Sequence, residues 1–95
     1  MRIVLEEKSW KRVISKLKDR DIQMFMVLSL LVGNNEKVAL PLPEIRDVSG
    51  VCMTTVRRAL HHLCELGLIK VEAQEFGPNA RFIFSLNKKF VTFED

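Results

Sequence analysis

The chain has 95 residues, 47% of them hydrophobic, and a formal net charge of +3. That length supports one domain with one modest core, so two domains and a roomy enclosed substrate pocket are both excluded. The balance is mildly basic, which permits nucleic-acid binding without demonstrating it.

Met-Arg-Ile-Val-Leu-Glu-Glu-Lys becomes charged before a signal-peptide apolar core can form. Arg2 to Leu5 reads as a short strand or an ordered arm. Ser9 is a good N-cap, and Trp10, Val13, Ile14 and Leu17 recur at helical spacing against Lys11, Arg12, Ser15, Lys16 and Lys18. Residues 1–20 hold seven basic side chains and three acidic ones, a local +4 that concentrates the chain's excess charge. Two readings are open: a solvated helix face, or phosphate contacts flanking a docking helix.

Asp19 or Asp21 can start the next helix. Its segment from Ile22 to Val32 is apolar nearly all round and should be largely buried, with Met24 and Met26 as core filler. This longest apolar run is about half of a membrane span. Gly33-Asn34-Asn35 ends it in a turn. Val38 to Leu40 is a short strand candidate that Pro41 and Pro43 stop. Pro43 suits the first position of the following helix, and Glu44 suits the positive end of its dipole.

Ile45 and Val48 make a one-turn apolar stripe before Ser49-Gly50, where a glycine permits a sharp turn between helices. Val56, Ala59, Leu60, Leu63 and Leu66 then lay a longer stripe along a helix expected from about Met53 to Leu66. Gly67 fits the left-handed position beyond its end, letting Leu68 close onto Leu63.

After that stop, Leu68 to Ala73 and Arg81 to Leu86 read as paired strands around a loop from Gln74 to Ala80, with Val38 to Leu40 as a third member. Glu72 and Glu75 flank the loop, and Arg81, beside Asn79, is its clear cation. The tail keeps Phe90 and Phe93. They cap the monomer's own core beside the N-terminal helix, or they join Trp10, Ile14 and Leu17 in a homodimer contact, since interfaces favour aromatics.

The run Ile-x-x-Val-Ser-Gly-Val-x-x-Thr-Thr-Val-Arg-Arg-Ala-Leu-x-x-Leu-x-x-x-Gly-Leu-Ile, at 45–69, resembles the helix-turn-helix of winged-helix DNA-binding proteins. It is closest to the gluconate-repressor (GntR) and multiple-antibiotic-resistance (MarR) types of regulator. The match covers about a quarter of the chain directly, and about three quarters when the flanking elements are taken in the same register. One position departs: Cys52 stands where such proteins carry a Ser or Thr N-cap, a weaker start by about 1 kcal/mol.

The resemblance implies an α+β fold: a single winged helix-turn-helix domain over 1–95, with an extra N-terminal amphipathic helix. The helix-turn-helix would span about 43–66, and a C-terminal β-hairpin wing about 68–86. It also implies sequence-specific binding of double-stranded DNA, with the 53–66 helix in the major groove. Met53, Thr54, Thr55, Arg57, Arg58 and His61 remain on the outward face once Val56, Leu60 and Leu63 turn inward. One arginine can fork onto a guanine while the other binds phosphate, and spacing does not say which. The threonines contact phosphate or simply start the helix, and His61 touches phosphate or stays solvated. Arg81 is the wing's candidate for the minor groove, although the wing carries less positive charge than such contacts usually use.

A dimer is expected, through Trp10, Ile14, Leu17, Phe90 and Phe93, because one module buries little surface for tight specific binding. The expected role is a small cytoplasmic transcriptional regulator. A plasmid or viral replication or partition protein is an alternative, and so is a winged helix used as a protein-interaction module. No membrane, cofactor or metal is called for. Two cysteines twelve residues apart do not make a disulfide framework and suit a reduced compartment. His61 and His62 diverge by about 100° on a helix, and no second cluster completes a shell with Cys64. Cys52 is a small structural residue or, at a helix N-terminus beside basic residues, a redox-sensitive thiol. No nucleophile elbow, phosphate loop or zinc motif is present, so catalysis is not expected.

Overall fold

The chain ties its two ends together. In the computed structural model, which describes residues 2–73 and 81–94, strand β1 (Arg2–Leu5) runs antiparallel to β5 (Val91–Glu94), with Ile3 opposite Phe93. The N-terminal segment is therefore a strand, and the tail is its partner. The Glu6 N–H donates to the Phe90 carbonyl at 3.0 Å, extending the pairing by one residue.

That contact moves the first helix. Helix α1 (Glu7–Val13) begins with Glu6 extended at its N-cap, and Ser9 lies inside the helix instead of capping it. Two forces fix the earlier start: the tertiary bond at Glu6 and the Glu7 carboxylate at the positive end of the helix dipole. The helix tightens into a single 3-10 turn, Ile14–Lys16.

Helix α2 (Asp19–Val32) opens with Asp21 accepting the Lys18 backbone N–H at 2.8 Å. Met24, Phe25, Val27, Leu28 and Val32 on α2 are buried. The expectation of a helix buried nearly all round is corrected on its other face, where Ile22, Met26 and Leu30 are 40%, 47% and 56% exposed. Met24 fills the core as expected, and Met26 does not. Helix α2 packs on α3, α4 and β4, and Trp10 of α1 stacks on its Phe25, which leaves the row of Ile22, Met26 and Leu30 uncovered.

Helices α3 (Leu42–Ser49) and α4 (Met53–Glu65) follow strand β2 (Val38–Leu40). Pro43 takes the second helical position of α3 instead of the first. Gly50, at φ +73°, supplies the left-handed turn between the two helices. Past α4, Gly67 sits at φ +79°. Its N–H donates to the Cys64 carbonyl at 3.1 Å, and the Leu68 N–H donates to that of Leu63 at 3.0 Å. Both bonds belong to a Schellman stop, and Leu63 and Leu68 are fully buried around it.

Strand β4 (Phe82–Leu86) is the centre of a three-stranded antiparallel sheet, flanked by β2 and by β3 (Ile69–Ala73). Phe84 pairs with Val38 on one side and Val71 on the other, and its side chain is wholly buried. The expected loop from Gln74 to Ala80, with Glu75 and Asn79, lies outside the described residues. The architecture is α+β: among the described residues, four α-helices and two small antiparallel sheets share one core.

The aromatic tail decides between its two readings at Phe90. Trp10 stacks on Phe25 at 5.2 Å, meets Phe90 edge-on at 5.7 Å, and donates its indole N–H to the Phe90 carbonyl at 2.8 Å. Phe90 is thus buried in its own chain and is not free to face a partner. Trp10, Leu17 and Phe93 are half-buried against the same core, which leaves Ile14, 47% exposed, as the one open residue of the expected dimer contact. Among the described residues, no helix is long and apolar enough to cross a membrane.

Candidate nucleic-acid interface

The apolar stripe of α4 settles which of its side chains remain available. Val56, Ala59, Leu60 and Leu63 are buried, so at 100° per residue the opposite face carries Thr54, Arg57, Arg58 and His61, all exposed. Among the described residues, neither Arg57 nor Arg58 has an ion-pair partner within 4.0 Å. His61 differs, with its Nε2 2.8 Å from Glu65 one turn along. Met53 does not belong to this face, because it is half-buried and packs against the core. Arg81 is exposed just ahead of β4, on a different element.

The start of α4 lacks a side-chain cap from Cys52. Instead the Cys52 Sγ lies 3.2 Å from the Thr55 Oγ1. Its hydrogen bond with the Thr55 hydroxyl is the main influence holding this exposed thiol below its ordinary pKa. Burial pushes the Cys64 thiol the other way. Thr55 is half-buried and committed locally, whereas Thr54 is free to donate outward.

Sequence reasoning missed how α4 is anchored to α2. His62 Nδ1 lies 2.5 Å from a carboxylate oxygen of Asp21, which is only 3% exposed. Asp21 therefore serves two elements: it accepts the Lys18 N–H and it holds His62. A weak signal was available, since His62 lies three residues beyond Ala59, on the flank of the buried stripe. The two histidines reach separate carboxylates, Glu65 and Asp21. Gln23 ties α2 to α3 as well, by donating to the Ser49 carbonyl at 2.9 Å beside the Gly50 turn.

An open cleft of about 540 Å³ lies between the start of α2 and the flank of α4. Arg58, Thr55 and His62 face Lys18 and Arg20 across it, with Asp19 and Asp21 on the same wall. Arg20 is steadied by its own bond to Gln23 Oε1 at 2.7 Å. The fold thus brings part of the N-terminal basic segment beside Arg58, while Arg57 stands clear of it.

No protein-family model matches the chain, and no curated protein matches it either.

Proposed function

We propose that the chain is a winged helix-turn-helix that binds double-stranded DNA sequence-specifically, with α4 in the major groove, as a small transcriptional regulator. The element order supports the fold reading: helix α2, strand β2, helices α3 and α4 across a glycine turn, then two antiparallel strands that β2 joins. The observation that carries the functional reading is the outward face of α4, where Arg57 and Arg58 stand exposed and without ion-pair partners among the described residues. A single α-helix fits the major groove, and an arginine fork matches the O6 and N7 of guanine.

The cleft suggests how the two arginines divide the work. Arg58 is grouped with Lys18 and Arg20, which suits a phosphate strand lying along that side. Arg57 then reads a base edge, and Thr54 donates to phosphate at the helix N-terminus. Arg81 extends the contact surface from the sheet. Arg57→Ala should relax discrimination at one base pair by about 1–3 kcal/mol, whereas Arg58→Ala should weaken all duplexes alike and lower the salt slope by about 1. Titrating both variants against a preferred and a scrambled duplex separates these outcomes. Unchanged affinity and specificity in both would remove α4 as the reading helix.

A second reading, a protein-interaction module, draws on the acidic groups near the same region. Glu65 occupies His61, and Asp47 lies 3.2 Å from Arg46 on α3. Retained binding to a protein partner by both arginine variants would favour it.

A further inference from the structure

Among the described residues, five of the six large exposed hydrophobic side chains lie on β1, the 3-10 turn and α2, and the sixth, Val48, is on α3. Ile22, Met26 and Leu30 fall at i, i+4 and i+8 on α2, offset by roughly half a turn from the buried Met24, Leu28 and Val32. Leu5, 54% exposed, and Ile14, 47% exposed, continue the patch from β1 and from the 3-10 turn. An apolar cleft of about 210 Å³ opens beside it, walled by Leu5, Trp10, Ile14, Ile22, Phe25 and Met26.

We propose that this patch is a homodimer interface whose occupant is a second copy of the chain. Size is the first reason. Five large aliphatic side chains about half exposed present on the order of 500 Å², near the top of the roughly 300–600 Å² of a typical monomer's largest patch. Two facing copies would cover about 1,000 Å² of apolar surface, and at about 65% apolar content the whole interface comes to about 1,500 Å², a standard size for a stable pair.

Shape is the second reason. The i, i+4, i+8 row is a ridge of the kind that interdigitates with its own copy when helices pack. A two-fold axis beside Met26 sets Ile22 of one copy on Leu30 of the other and directs each ridge toward the other copy's cleft. Ridge and cleft lie on one surface, which is the self-complementarity that an isologous contact requires. The row is also free of charge, in keeping with the depletion of charged residues at interface cores. It faces away from the side of α2 that α4 packs on, so dimerisation leaves Thr54, Arg57, Arg58 and His61 open. The inference does not rest on the DNA reading, and its test contains no DNA.

Sedimentation velocity from low to tens of micromolar protein, with Met26→Glu, Leu30→Glu and the distant control Lys70→Glu, tests it. The expected result is a particle of two chains for the wild type and the control. Both stripe variants should sediment as single chains, their dimerisation weakened at least 100-fold, with the wild-type circular dichroism spectrum. A wild type that stays a single chain throughout overturns the proposal, as does a dimer that either folded stripe variant leaves intact. A single-chain wild type that pellets with phosphatidylcholine vesicles would overturn it in favour of a lipid surface.

Discussion

Asp21→Ala removes two interactions at once, and the structure allows its cost to be worked out. The carboxylate is 3% exposed, accepts the Lys18 N–H at 2.8 Å and lies 2.5 Å from His62 Nδ1. Losing the bond at the start of α2 costs about 1 kcal/mol, as at other helix N-termini. Leaving the half-buried imidazole without its partner adds about 1–2 kcal/mol. The sum, about 2–3 kcal/mol, corresponds to a fall in Tm of about 10–20 °C for a domain of this length. Urea unfolding followed by circular dichroism measures it, and a cycle with His62→Ala isolates the bond between the two helices. The double variant should cost less than the two singles together by about 1 kcal/mol. Asp21→Ala within about 0.5 kcal/mol of wild type, or strict additivity in the cycle, would refute the view that this carboxylate joins α2 to α4.

Three further outcomes follow from local geometry. Gly67→Ala should destabilise by about 1 kcal/mol in the same unfolding assay; a Cβ there meets nothing within 4 Å, so the whole loss is backbone strain at φ +79°. Cys52→Ser should stabilise by up to about 1 kcal/mol, because a hydroxyl caps the first turn of α4 better than a thiol. Iodoacetamide should alkylate Cys52 well before Cys64. The thiolate is the reactive form, and as pH rises it appears first at Cys52, whose pKa is lowered, and last at Cys64, whose pKa is raised by burial. Peptide mapping after partial alkylation at rising pH reads that order directly.

What could be read from the residues and what could not divide along sequence separation. The turn at Gly50, the span of α4 and the stop at Gly67 depend on side chains within a few positions of one another, so their spacing placed each to within about one residue. Strand β2 and its membership of the sheet were also legible, but not that it pairs with β4. Ser9 was misread because a cap signal is local, whereas the bond that sets the helix start joins Glu6 to Phe90 across the whole chain. Ile22, Met26 and Leu30 were misplaced for another reason: a segment that is apolar on every side carries no mark of which face the rest of the domain will leave uncovered. Asp21 and His62, 41 residues apart, gave no shared signal until α2 and α4 were packed together. The arginine face of α4 was legible because it is simply what the buried stripe leaves over.

The central claim, that α4 presents a DNA-reading face, is tested most directly by fluorescence anisotropy of the purified protein at about 50 and 200 mM salt. One duplex comes from upstream of its own gene and the other is the same composition scrambled. The account predicts binding at low salt that weakens steeply between the two conditions, with the upstream duplex held more tightly than the control. No binding to either duplex at low salt would contradict it.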